Sequence, residues 1–145
     1  MRTRATLVAA LLVGTLAACA GARGPAAGET FDSLPDGDHS GYVVGFDGQA
    51  ITFDPAEMLP DDTAPNGFRI DDPDDAVLIL AVAPSARVAL IDGFTVQHRD
   101  INLRTFAAFL DGDRPGWAYG SPEHFLATIE VRDDRVTGIE ETYLP

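Results

Sequence analysis

The chain has 145 residues, 23 acidic and 10 basic side chains, and a formal charge of −13. That length allows one domain and little else. Such a charge repels nucleic-acid phosphates and anionic lipid head groups, which excludes nucleic acid as a partner and excludes membrane binding by charge alone. All the basic residues are arginine and most of the acids are aspartate, a usage that reflects GC-rich coding more than function.

Residues 1–18 read as a targeting segment. Arg2 and Arg4 form a short positive start, and Ala5–Ala18 follow with no charge. As a helix those fourteen residues span about 21 Å, short of a bilayer core of about 30 Å. That fits a secretory apolar region better than a permanent transmembrane helix. The segment ends Leu16-Ala17-Ala18-Cys19. An aliphatic residue, two small residues and a cysteine resemble the lipobox of bacterial lipoproteins. The resemblance covers the first 19 or so residues. It implies diacylglycerol on the Cys19 thiol, cleavage between Ala18 and Cys19, and a mature protein held on the extracytoplasmic side of the cell membrane. One acyl chain binds a membrane marginally and two bind firmly. Cys19 is the only cysteine, so intramolecular disulfides are excluded.

Residues 20–36 read as a flexible tether, rich in Ala, Gly and Pro and without apolar period. Residues 37–145 read as one domain. Without Arg2 and Arg4 the mature chain would set 23 acidic groups against 8 basic ones, a charge of −15.

Ser40–Phe46 and Gln49–Phe53 flank Asp47-Gly48, a hairpin signal. Asp54-Pro55-Ala56-Glu57 looks like a helix start: a capping residue, proline at the first helical position and Glu three after the cap. Residues 61–75 are loop-like, with a short strand at Phe68–Ile70. Ala76–Val82 reads as a buried strand, Pro84-Ser85 as a turn, and Ala86–Ile91 as the returning strand of a second hairpin. Phe94–Gln97 is a further short strand or extended loop. Ile101–Leu110 is the best helix, with Leu103, Phe106, Ala107 and Leu110 on one face, Asn102 or Asp100 as cap, and Asp111-Gly112 as stop. Asp113–Pro122 is a Gly/Pro-rich loop. Phe125–Val131 and Arg135–Tyr143 flank Asp133-Asp134 as the last hairpin. The expected fold is α+β, mainly β. It is a small, partly closed antiparallel barrel of OB-like shape with one helix packed on it, because closure removes exposed edges. A flat sheet with the helix on one face is the alternative. Asp38–Leu59 and the ending Val136–Pro145 resemble small secreted proteins and lipoproteins of GC-rich bacteria, a likeness that carries no catalytic residue across.

The chemistry-bearing residues are scattered. Asp71, Asp72, Asp74 and Asp75 around Pro73 could offer oxygen ligands to calcium, but the spaced acidic loop with a closing Glu is missing. A solvated turn is the plainer reading. His39, His98 and His124 lack the spacing of a zinc site. Ser33, Ser40, Ser85 and Ser121 lie outside any G-x-S-x-G turn. Trp117 and Tyr119 share a loop and either contact a partner or fold back over the barrel end. The expectation is a lipid-anchored binding or structural module of the cell envelope with no cofactor. Its partners would be the membrane, through the lipid, and an unidentified envelope protein or ligand. An extracytoplasmic enzyme or calcium-binding protein using the acidic loops is the alternative.

Overall fold

A computed structural model describes residues 31–72 and 76–144. Cys19, Ala18, Asp74 and Asp75 lie outside the described residues. The elements are β1 (Gly37–Phe46), β2 (Ala50–Pro55), β3 (Glu57–Pro60), β4 (Phe68–Asp71), β5 (Leu78–Asp92), β6 (Gln97–Ile101), α1 (Leu103–Leu110), β7 (Leu126–Arg132) and β8 (Arg135–Glu141).

Five strands close on themselves in the order β1-β2-β5-β8-β7 and back to β1. Every neighbouring pair is antiparallel except β5–β8. The helix lies between the third and fourth barrel strands in sequence. This is the OB-like barrel expected from the sequence, fully closed and with one parallel pair. β6 adds to the last third of β5 as an edge strand, and β3–β4 form a separate small hairpin.

Local chemistry explains both tight hairpins. The Asp47 carboxylate accepts from the amides of Ala50 at 2.7 Å and Gln49 at 2.8 Å, and Gly48 takes the left-handed φ of +98° that the turn needs. The same bonds, that from Ala50 foremost, hold the Asp47 carboxyl below its ordinary range. Asp133 and Asp134 both have positive φ, 50° and 57°, the conformation of a two-residue hairpin that Asp tolerates.

Two sequence expectations are corrected. Asp54–Glu57 does not start a helix. Asp54 and Pro55 pair across to Tyr42 and Gly41, the Ala56 amide donates to the Ser40 carbonyl, and β3 follows. With Pro60 so near, a helix there would have too few residues to repay its nucleation. Pro84-Ser85 does not turn the chain either. β5 runs unbroken for 15 residues. Between Val82 and Arg87 it makes five steps while β8 makes two, from Val136 to Gly138. Pro84 has no N–H to offer a ladder, so a bulge suits it, and the bulge bends β5 from one neighbour to the next.

The barrel interior is filled by residues at alternate strand positions, such as Ala127, Ile129 and Val131 on β7, each at most 2% exposed. Helix α1 is capped by Asn102, whose Oδ1 accepts from the Thr105 amide at 2.8 Å. It closes one barrel end with Phe106, which meets Phe46 at 5.9 Å and Phe125 at 5.5 Å, and with Phe109, 5.5 Å from Phe125. Phe109, outside the expected apolar face, is fully buried, whereas Leu103 and Leu110 are half-buried.

Residues 32–36, read from the sequence as the last stretch of tether, are bound to the barrel. Asp32 and Ile79 exchange bonds: the Asp32 amide donates to the Ile79 carbonyl at 2.9 Å, and the Ile79 amide to the Asp32 carboxylate at 2.8 Å. Asp36 accepts from the Asp133 amide at 3.0 Å. These contacts sit at the N-terminal ends of β5 and β8. The two strands are parallel, so their C-terminal ends mark the opposite end of the barrel.

Candidate functional site

That opposite end gathers most of the aromatic surface. β5 finishes at Asp92, whose carboxylate accepts from the amides of Phe94 at 2.9 Å and Thr95 at 3.2 Å. This side-chain turn swings the chain into β6. Val96, at the exit, has φ of 55°, an outlier for a β-branched residue that costs on the order of 1–3 kcal/mol. Phe94, at the tip of this strained turn, is 82% exposed, more than any other large apolar residue described.

The loop after α1 docks beside it. Gly112 leaves the helix with φ of 97°. The Gly93 amide donates to the Trp117 carbonyl at 2.7 Å, and the Tyr119 amide to the Ile91 carbonyl at 2.9 Å, so residues 117–119 pair with the end of β5. The Arg114 guanidinium reaches back inside the loop and donates to the carbonyls of Ala118 and Tyr119. Trp117 packs half-buried against the core, and the Arg99 guanidinium stands 4.4 Å above its ring. Tyr119 stays partly exposed, lies 5.1 Å from the Tyr143 ring, and donates its hydroxyl to the Leu144 carbonyl.

Beneath this loop is Glu141, the only buried charged residue among those described, at 4% exposure. One carboxylate oxygen accepts from the Ile91 amide at 2.6 Å, and the Gly120 amide also donates to the carboxylate. Gly120 lies so close that an added Cβ would fall on Oε1. Burial pushes the Glu141 carboxyl above the ordinary glutamate range. The opposing pulls come from the Ile91 and Gly120 amides and then from His98 and Arg114, and they do not cancel it. His98 bonds through Nε2 to the Glu141 backbone carbonyl at 2.8 Å.

Of the residues singled out from sequence, Trp117 and Tyr119 are brought together here, and they part ways. Trp117 folds back as a cover, while Tyr119 contributes to the surface. His98 is exposed on β6, away from a metal-binding arrangement. His39 bonds to the Pro35 carbonyl at 2.8 Å, and His124 is exposed. Ser85 lies mid-strand in the β5 bulge. Asp71 pairs with Arg69 at 3.4 Å, and Asp72 is exposed. Among the described residues no three His, Cys, Asp or Glu side chains converge on a metal position. Phe94, Arg99, Tyr143 and Glu141 do not stand out in the sequence. For Glu141 a signal exists: two residues after the buried Ile139, it falls on the inward side of β8.

Elsewhere, an outer groove of about 280 Å³ crosses the sheet between Asp38, Thr128, Glu130 and Thr137. Its Arg87 is already held by Asp100 at 2.8 Å and Glu140 at 2.6 Å. No protein-family model, no curated protein and no solved structure matches the chain.

Covering and displaying aromatics differ in their effect on stability. Trp117→Ala is expected to cost about 2–3 kcal/mol, below the ~3–5 of a fully buried ring. Phe94→Ala should stay within about 0.5 kcal/mol. Urea unfolding of the two variants measures both, and equal losses would contradict the division.

Proposed function

We propose that this protein is a lipid-anchored extracytoplasmic binding module, held by one end of its barrel and engaging a partner with the aromatic other end. The observation that carries the reading is that Phe94, Tyr119 and Tyr143, 82%, 39% and 41% exposed, all lie at this end of an acidic protein, with the Tyr119 and Tyr143 rings 5.1 Å apart. Exposed aromatics of this kind are enriched at the energetic centres of interfaces. The strained turn under Phe94 adds to it, since strain of that order persists where surrounding structure and use maintain it.

The anchor rests on Leu16-Ala17-Ala18-Cys19. No helix among the described residues is long and apolar enough to cross a membrane, so in this reading lipid does the holding. The acidic surface favours a neutral or basic partner over a nucleic acid or an anionic bilayer. An OB-like barrel by itself assigns no ligand. A calcium site at Asp71, Asp72, Asp74 and Asp75 has no second observation in its favour.

Both halves of the reading are testable. Cys19→Ala is expected to release the protein from the membrane fraction and to block lipid labelling. Normal processing and unchanged membrane fractionation would sink the anchor. A photo-crosslinking residue at position 94, in intact envelopes, is expected to give a discrete adduct that the same residue at position 134 does not. Identical adduct patterns from the two positions would reject the aromatic end as the contact surface.

A further inference from the structure

Among the described residues, β6 is the one strand of the six-stranded sheet with a neighbour on a single side, because β2, at the other end of the strand order, closes onto β5. Backbone parity fixes what its free side presents. At the end of β5 the Ile91 carbonyl accepts from the Tyr119 amide, and the Gly93 amide donates to the Trp117 carbonyl. Successive residues of a strand turn their N–H and C=O groups to opposite sides. Asp92, Leu90 and Val88 therefore turn theirs toward β6, as the Val96 amide donating to the Asp92 carbonyl at 2.7 Å also requires. Their partners are Gln97, Arg99 and Ile101. His98 and Asp100, between them, direct both main-chain groups away from β5. Both residues are exposed, and among the described residues neither makes a main-chain bond on that side. No proline and no bulge interrupts the strand, so the main-chain guards that blunt many sheet edges are missing here.

We propose that β6 receives an extended, basic segment of a partner polypeptide, which pairs with the main chain of His98 and Asp100 and adds a strand to the sheet beside Phe94. The inference rests on the reading of the aromatic end as the contact surface and deepens it by naming the partner's chemistry. Strand addition draws affinity from main-chain bonds and specificity from alternate side chains.

The side chains along the edge select the charge. Arg99 lies on the face of Leu90, with its guanidinium over Trp117 and 3.8 Å from the Asp92 carboxylate. Asp100 lies on the opposite, outer face. There Arg87 holds both Asp100 and Glu140, so two carboxylates share one guanidinium and a negative charge is left beside the edge. Opposite charges facing each other across a sheet attract and like charges repel. A Lys or Arg opposite Asp100 fits, and an acidic residue does not. A second copy of this chain fits poorly for the same reason. Each copy carries −13, and the two-fold pairing that engages both outward residues of each copy sets Arg99 against Arg99. Two outward residues make a short template. Phe94 and Val96, 82% and 49% exposed in the turn that leads into β6, supply apolar contact at its start.

The test uses the isolated protein, amide NMR and three blocked peptides. The first alternates threonine and lysine. The second replaces its lysines by glutamate, and the third keeps lysine but is N-methylated throughout. Because the edge reads main chain and charge, the first peptide carries the recognised chemistry. At millimolar concentration it is expected to move the His98 and Asp100 amide protons downfield and to slow their exchange several-fold, with Arg99 little changed. The other two peptides are expected to do neither. Asp100→Pro removes one outward N–H and no bond to β5, a substitution that edge strands tolerate. It is expected to abolish the response at His98. No response at His98 and Asp100, an equal response to either control peptide, or a response that survives Asp100→Pro overturns the proposal. Slowing of the same two amides with protein concentration alone overturns it in favour of a second copy. Should the proline variant not fold, the N-methylated peptide on the unaltered protein decides. Crosslinking from position 94 in envelopes reports on the contact surface whatever its mode, and the peptide titration reports on the edge alone, so the two failures are distinguishable.

Discussion

Strand β5 serves three neighbours at once, and the barrel exists because it does. Its first residues pair with β2, its middle with β8, and its last with β6. β8 takes one edge of β5, while β2 and β6 share the other in succession. The bulge around Pro84 supplies extra residues on one side, and the strand coils from the β2 seam across to β8. Closure follows, and with it a single interior that every barrel strand lines with alternate residues. If β5 were two shorter strands of a hairpin, β2 and β8 would each present an open edge.

The parallel pairing of β5 and β8 then fixes where chemistry can gather. Both strands start at the end where residues 32–36 dock, and both finish at the end where Phe94, Glu141 and Tyr143 lie. The seven residues of β8 separate those ends by about 20 Å at ~3.3 Å per residue. The distal end is also where the barrel's least comfortable features meet: a buried carboxylate and a β-branched residue with positive φ. Each is a local cost. Their coincidence with the most exposed aromatic ring favours this end as the working one.

Much of the fold was legible in the sequence, and the misreadings have a common physical origin. Asp47-Gly48 and Asp133-Asp134 announce hairpins because their turns need the conformations those residues tolerate. Asn102 announces α1 because it satisfies an otherwise free amide. Pro84 and the Asp54-Pro55 pair misled because proline carries two meanings, a stop in a hairpin or helix and a missing donor in a bulge or strand end. Only the partner strand decides between them, and it lies far away in sequence. The same holds for the site. Trp117 and Tyr119 stand out as aromatics in a Gly/Pro loop. Arg99, Tyr143 and Glu141 gain their meaning from β6 and β8 being brought under that loop, a long-range fact.

With the proposed lipid on Cys19 and the described residues beginning at 31, 11 residues, 20–30, lie between anchor and fold. That is at most about 40 Å of chain at ~3.3–3.6 Å per residue. In the proposed arrangement this tether holds the barrel by one end and turns the aromatic end away from the bilayer. Vesicles carrying head-group quenchers test that orientation, using the lipidated protein and two reporters. One is Trp117 itself, and the other is a fluorophore on Asp134→Cys, a position free of competing thiols if Cys19, the only natural cysteine, carries the proposed lipid. Strong quenching at position 134 and little at Trp117 is the expected result. Stronger quenching of Trp117 than of position 134 would overturn the arrangement.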